Sequence, residues 1–430
     1  MNDTKLFELR LFDRNALTFN VTVNSENVAD IQVISQGEAP LPLGLSFDNA
    51  SLERWLETRA IPYNRANADK LCIQMGIDPS NTARIVEVSR GLSLNDSYWA
   101  VPEGFSGSFD DYNLFENDFS RILAIVAYTG RLDKAKLGSH GLTPELATGG
   151  SLPKAWRIDS YGRRLLYKGK TESYAIGEPL SESAVSAIAE AAGLDHTRYW
   201  LDTWMNQTCS VCECFCTKDI SYVPFAVATG KTSLADAVAT MLCLGSDMFE
   251  DFVDMLMLDC ICENTDRHLT NFGFLYQPGT NTVLGLAPIF DNGRALFPNI
   301  GDSEIDALQS VKDMYSPAFG APTFDMLAGR LIGDRQKEWL SDMKRSDLSA
   351  ILQDAGLSPY RAKALSSFVV NRCSELVEMP SVSRSELKEI SLMHFPDAIS
   401  FAESHGQLLN SKKPLDSQDC TRRRDGNAIG

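Results

Sequence analysis

The residues of this 430-residue chain best suited to chemistry lie in two short strings, ENTDRHLTNFGFL at 263–275 and APIFDNG at 287–293. A loop leaves an apolar helical stretch and presents Asp266, Arg267 and His268. Asn271 follows five residues after Asp266, just as a strand begins, and a returning strand pair delivers Asp291. Asp266, Asn271 and Asp291 can therefore converge on one small volume. Two carboxylates and an amide oxygen are hard oxygen ligands of the kind Mg²⁺ takes beside nucleotide phosphates. Asn271 and Asp291 are the candidate metal ligands, and Asp266 is then left to accept a proton from an attacking hydroxyl. Each residue also has a plain reading: Asp291-Asn-Gly as a turn, Asp266 as a helix cap, His268 as a satisfied core histidine. The ordered string D-R-H-x-x-N followed by D-N-G favours the functional one.

A second string, Thr148-Gly-Gly-Ser-Leu-Pro-Lys154, precedes a short strand, RRLLYKG, that carries Lys168. A turn at Gly149 and Gly150 lets backbone N–H groups approach phosphates closely. Lys168 supplies a point charge to α/β-phosphates. Gly-Gly turns and lysine-ended strands are common, so the order before the catalytic-type loop is what gives this string weight. Glu182, at the start of the following helix, can pair with Lys168 or can simply be an acid favoured by the helix N-terminus. A third string, Cys209-x-x-Cys212-x-Cys214-x-Cys216, has neither the spacing of two metal-binding pairs nor a nearby histidine. Cys212, Cys214 and Cys216 are expected on one face of a buried strand. The Arg422–Arg424 run reads as solvated charge.

The elements that must position these groups follow from periodicity. LFELRLFDRN and ALTFNVTV alternate as a strand pair. Leu52, Trp55, Leu56, Leu71 and Met75 mark helices on either side of Pro62, and Phe115, Phe119, Ile122, Leu123 and Val126 another. Gly91–Pro102 is an ordered aromatic segment. Leu180, Ala184, Ala187, Ile188 and Ala191 share one helical face, stopped near Gly193. Trp200–Val223 carries strand-like pieces. The stretch from Ser233 to Cys262 is helical and becomes apolar nearly all round, the mark of a buried helix. Asn271–Tyr276 and Val283–Leu286 are strands joined by QPGTN, and residues 303–377 read as several helices. The last 20 residues lack apolar content and read as a disordered tail.

Composition bounds the rest. Hydrophobic residues are 44% and charged residues 23%, so disordered and fibrous classes are excluded. The net charge of -17 repels nucleic acid and anionic lipid, and direct nucleic-acid binding is not expected. No signal sequence is legible, and no apolar stretch approaches the roughly 20 residues of a membrane span. A cytoplasmic location is expected, with secretion that needs no N-terminal signal left open. The 10 cysteines do not form a disulfide pattern.

The motifs LATGGSLPKAW, RRLLYKGK, EPLSESAVSAIAEAAGL, CECFCTKDISYVP, ENTDRHLTNFGFL and LAPIFDNG together resemble the HipA-like serine/threonine kinases, a group related to CtkA and to phosphoinositide kinases. The resemblance runs from about residue 138 to about 380. GLSLNDSYWAVPEG and NLFENDFS resemble the N-terminal module of gram-positive-type members. The resemblance implies an α+β, two-lobed protein-kinase-like (HipA and phosphoinositide-kinase-like) fold with an additional N-terminal α+β module. The expected divisions are 1–137 for that module, 138–225 for an N-lobe with the Gly-rich loop, 226–400 for a mostly helical C-lobe, and 401–430 for the tail.

By the same resemblance Asp266 is the catalytic base, with His268 bracing its loop and Asn271 and Asp291 holding Mg²⁺. Lys168, paired with Glu182, holds the phosphates of ATP, covered by Gly149, Gly150, Ser151 and Lys154. Phe215–Val223 is the hinge beside adenine, so Phe215 is a cofactor-binding candidate. HipA proteins usually read D-G-H where this chain reads D-R-H, as lipid kinases do, and the metal motif is DNG where many kinases have DFG. HipA proteins can silence themselves at a serine of the Gly-rich loop, and Thr148 and Ser151 are the neighbours of that place here. The expected activity is ATP-dependent phosphoryl transfer to Ser or Thr of a protein substrate, with autophosphorylation. Alternatives are a lipid kinase, a nucleotide-binding pseudokinase and an AMP-transferring module. An antitoxin-like regulator is allowed by the resemblance.

Overall fold

The structure is a computed structural model and describes residues 3–23, 29–79, 81–138, 141–170, 177–302, 304–305, 308 and 314–406. The expected tail, with its Arg422–Arg424 run, lies almost wholly outside the described residues. Near it, a helix at Pro396–His405 crosses the expected boundary at residue 400.

The N-terminal alternation forms β1 (Asp3–Leu11) and β2 (Arg14–Val23), which pair antiparallel. β3 (Ala29–Gln36) and β4 (Tyr98–Pro102) complete a sheet in the order β3-β2-β1-β4. The aromatic segment thus supplies an edge strand of this sheet. α1 (Asn49–Glu57) lays Leu52, Trp55 and Leu56 on one face of it, beside Leu9, Leu17 and Phe19. α2 (Ala68–Met75), α3 (Thr82–Ser89) and α5 (Arg121–Thr129) share a second small core; the short α4 (Phe109–Tyr112) packs with Trp99 instead.

A second antiparallel sheet runs β5-β6-β8-β7, from β5 (Lys154–Ile158), β6 (Arg164–Lys168), β7 (Tyr199–Trp204) and β8 (Gln207–Glu213). The Gly-rich segment therefore opens directly into a strand. α6 (Glu178–Ala191) packs against β7 and β8 and buries Ala184, Val185, Ile188 and Ala189. β8 ends at Glu213, so only Cys209 and Cys212 are strand residues. The expectation of one strand face for Cys212, Cys214 and Cys216 fails, because Cys214 and Cys216 lie in the connection that leaves the sheet.

A third sheet, β11-β10-β9, joins β9 (Ser221–Pro224), β10 (Gly273–Gln277) and β11 (Thr282–Leu286). At Gly273 a side chain would drive into the Val223 carbonyl, so glycine is required for this pairing. The helices α7 (Phe225–Thr229), α8 (Leu234–Leu244) and α9 (Ser246–Cys262) follow β9. The long helical pattern read from the sequence is thus two helices, broken at Gly245 with φ +145°. α9 buries Phe252 through Cys262 on every face. At about 1.5–3 kcal/mol per buried large apolar side chain, it anchors the largest core of the molecule. Of the six helices between Phe324 and His405, those at Phe324–Leu331, Asp334–Met343 and Pro359–Val377 contact α9, while those at Arg384–His394 and Pro396–His405 pack on α8.

Candidate active site

Lys168 stands at the end of β6, opposite Lys154 on β5 and Ser210 on β8. Its buried ammonium donates to Glu182 of α6 and, at 2.6 Å, to Asp291 Oδ1. Ser210 Oγ donates to the other Glu182 oxygen at 2.6 Å, and the Tyr199 ring lies 5.5 Å from the Lys168 ammonium. Burial disfavours that charge, but Asp291 and Glu182 outweigh it and hold the Lys168 pKa above its ordinary value. Glu182 is pushed up by burial, opposed by Lys168. For Asp291 burial acts upward, yet the Lys168 and Lys154 cations hold its carboxyl well below the usual range. Asp291 is therefore ionised, and its side chain is about one-third exposed, open to a ligand.

Two features bring Asp291 to Lys168. A parallel bridge joins His196 to Ile289, with Thr197 N donating to Ile289 O at 2.8 Å and Ile289 N to Asp195 O at 3.0 Å. Asp291 itself adopts φ +59°, a strained turn for a residue with a side chain.

The catalytic-type loop begins where α9 ends at Glu263, in the left-handed conformation with φ +46°. Arg267, almost fully buried, holds this loop together. It donates to Asp259 Oδ2 at 2.9 Å and Oδ1 at 3.1 Å, to Asn271 O at 3.0 Å, to Phe290 O at 2.5 Å and to Asn292 Oδ1. One guanidinium thus ties α9, the loop and the D-N-G turn. Asn271 Nδ2 donates to Asp266 O at 2.7 Å, which fixes the amide and turns its nitrogen away from duty as a ligand. Asp266 is half-exposed. Burial raises its carboxyl, opposed by His268 and reinforced by the Asp291 charge. His268 is also half-exposed, 3.9 Å from Asp266 and bonded through Nδ1 to Thr270 Oγ1 at 2.7 Å. His268, expected to brace the loop, thus bonds within it, and Arg267 ties the loop to α9.

The Gly-rich turn sits above β5. Lys154, buried, donates to Gly149 O at 2.8 Å. Burial first, then repulsion from Lys168, lowers its pKa to about 8. Gly150 has φ +81°, and a Cβ there would fall on Lys154 Nζ. Thr148 Oγ1 donates to Pro144 O at 2.7 Å and accepts from Trp156 Nε1 at 3.1 Å, whereas Ser151 is exposed. Across the cleft, Phe215 packs against Tyr222 at 5.6 Å and Phe290 at 5.5 Å, centroid to centroid. These rings form an apolar wall from the connection after β8 to the residue before Asp291.

Asn271 and Asp291 offer hard oxygen donors, one of them an ionised carboxylate, and this donor set fits Mg²⁺. Lys154, Lys168 and the Gly149–Gly150 backbone offer the charge and N–H groups that phosphates take. Sequence reasoning missed Arg267 as an organiser, along with Ser210, Tyr199 and Phe290. Phe290 alone carried a signal, as the aromatic residue directly before the D-N-G string.

No protein-family model matches the chain, and no curated protein matches it. Solved structures similar in fold include the following two. The Helicobacter pylori proinflammatory kinase CtkA is 18% identical, with a TM-score of 0.43 over 57% of this chain and 94% of that one. HipA from Shewanella oneidensis MR-1, in its toxin–antitoxin complex with HipB and operator DNA, is 12% identical, with a TM-score of 0.48 over 93% of this chain and 97% of that one. Among the described residues no helix is long and apolar enough to cross a membrane. These two fold neighbours of the α+β chain carry the names CtkA and HipA, which also head the group its sequence motifs resemble.

Proposed function

We propose that this chain is an ATP-dependent kinase that transfers the γ-phosphoryl group to a serine or threonine hydroxyl of a protein, and that it also phosphorylates itself. The observation that carries the reading is the buried Lys168 joined at once to Glu182 and Asp291, with Asp266 open to solvent nearby. Lys168 and Lys154 bind and orient the nucleotide phosphates. Asn271 and Asp291 hold Mg²⁺, which supplies charge neutralisation to the transferring group when bound. Asp266 orients the acceptor hydroxyl and takes its proton as the new P–O bond forms and the bond to ADP breaks. Phe215, Tyr222 and Phe290 exclude water from the side of the cleft proposed for adenine. Arg267 is almost fully buried and engaged by Asp259, Asn271 O, Phe290 O and Asn292 Oδ1, so the D-R-H spelling is accounted for without a lipid acceptor. Ser151, exposed on the Gly-rich turn, is the proposed autophosphorylation site in preference to Thr148, whose hydroxyl is already bonded on both sides.

The test is incubation of the purified chain with Mg²⁺ and γ-labelled ATP beside Asp266→Ala and Asp291→Ala. Label on the wild-type chain, lost in both variants, supports phosphoryl transfer. Label from α-labelled ATP instead shows AMP transfer, and nucleotide binding with no label from either position shows a pseudokinase.

A further inference from the structure

Arg65 belongs to the connection between α1 and α2, about 80 residues before the Gly-rich turn, yet its side chain is wholly buried beneath that turn. One guanidinium nitrogen donates to Glu145 O at 2.7 Å and Thr148 O at 3.1 Å. The other donates to Glu145 Oε2 at 2.9 Å and to Lys154 O at 2.6 Å. Glu145 in turn accepts from Trp156 N at 2.6 Å. The next residue, Ala66, donates its N–H to Ser151 O at 2.9 Å. Asn67 is left-handed, with φ +63°, and bonds Ala127 O at 3.1 Å and Tyr128 O at 3.2 Å, which fixes this segment to α5.

The contacts fall at both ends of the turn and at its tip. Thr148 O precedes Gly149, Ser151 O follows Gly150, and Lys154 O begins β5. No neighbouring atom would meet a Cβ at Gly149, so side-chain packing does nothing to order that residue. A glycine-rich segment loses much backbone freedom on ordering, and whatever orders it beforehand reduces that loss when a ligand binds. The planar guanidinium fork spans the two ends in one piece, which a lysine ammonium on a flexible stem cannot do.

We propose that Arg65, with the Ala66 N–H, is a positioning element for the Gly-rich turn, through which the N-terminal region sets the affinity of the site for nucleotide phosphates. The proposal rests on the kinase reading above. The turn meets phosphates before and during transfer alike, so its disorder raises KM for ATP and leaves kcat largely unchanged.

The experiment uses the full chain, with Mg·ATP as the probe. Arg65→Lys is compared with Phe19→Leu, a core variant of the same N-terminal region far in sequence from the turn. Arg65→Lys is expected to raise KM and Kd for ATP about tenfold, equivalent to about 1.4 kcal/mol, with kcat within about twofold. Phe19→Leu lowers thermal stability without that change in KM. A variant-free measurement stands beside it: Mg·ATP should slow amide exchange at Ala66 together with residues 148–152 in the wild-type chain, since coupling between two places is reciprocal. If the wild-type chain binds Mg·ATP but Arg65→Lys binds it equally well, or Ala66 exchange ignores nucleotide, the positioning role is overturned and the kinase reading stands. If the wild-type chain binds no nucleotide, both fall.

Discussion

Replacing Arg267 by lysine should loosen the active-site loop and destabilise the helical part of the chain together. The native guanidinium makes two bonds to Asp259 and reaches Asn271 O, Phe290 O and Asn292 Oδ1. A lysine ammonium retains the Asp259 charge contact but cannot span three further acceptors in different directions. At least two buried acceptors are then left unpaired, at about 1–3 kcal/mol each, or about 2–6 kcal/mol in all. For a unit of 150–250 residues, where 1 kcal/mol moves the midpoint by about 2–4 °C, the shift in Tm is on the order of 10 °C. The assay is thermal unfolding followed by far-UV circular dichroism, with phosphoryl transfer measured well below the transition. Transfer should fall at least as far as stability, because Asn271 and Asp291 both lose their backing. Arg267→Met should be worse than Arg267→Lys, since it strands a buried Asp259, and adding Asp259→Asn should restore part of the loss. A Tm shift under about 2 °C with unchanged transfer would refute the claim that Arg267 organises the site.

Four further outcomes are expected. Affinity for ATP should fall as pH rises through about 8, because Lys154 loses its proton there; Lys154→Met should abolish that limb. The folded pKa lies below the unfolded one, so folded chains bind fewer protons and Lys154 contributes a rise in stability with pH from about 8 to about 10.5, read by chemical denaturation. The rate of transfer should fall on acidification through the Asp266 pKa, at a midpoint above the ordinary carboxylate value of about 3.9, and a midpoint at or below that value counts against Asp266 as the proton acceptor. Gly150→Ala forces a side chain into φ +81° against Lys154, a strain of about 1–2 kcal/mol; isothermal titration should show about tenfold weaker ATP binding, and unaltered binding would refute the tight turn.

The parts of the site legible in the sequence are those with local spacing. Asp266 and Asn271 share one loop, Asp291 follows a hairpin, and the Lys168–Glu182 pair is separated by one strand-to-helix connection. The apolar period of α6 and the all-round burial of α9 were equally plain. What the sequence hides is contact across large separations. Ser210 reaches Glu182 over 28 residues and Arg65 reaches Glu145 over 80, with no period to link them. Arg267 was hidden differently: in a polar loop between two named residues an arginine looks solvated, and only the buried Asp259 behind it shows otherwise. The cysteine pattern misled because alternate spacing continues past Glu213, whereas the strand does not.

The bridge at His196–Ile289 has a mechanical consequence. The sheet that carries Lys168, with α6 packed on it, and the helical body that carries Asp266 are tied at several places: the covalent passage at 214–220, this short backbone pairing, the bond from Ser183 Oγ to Ala355 O and the ion pair of Lys168 with Asp291. A plate fastened at one point can swivel freely, but fastened at several it resists turning. Any movement of one part against the other must break or stretch one of these ties. Asp291, two residues past the bridged Ile289 and itself bonded to Lys168, is held from both sides of that seam.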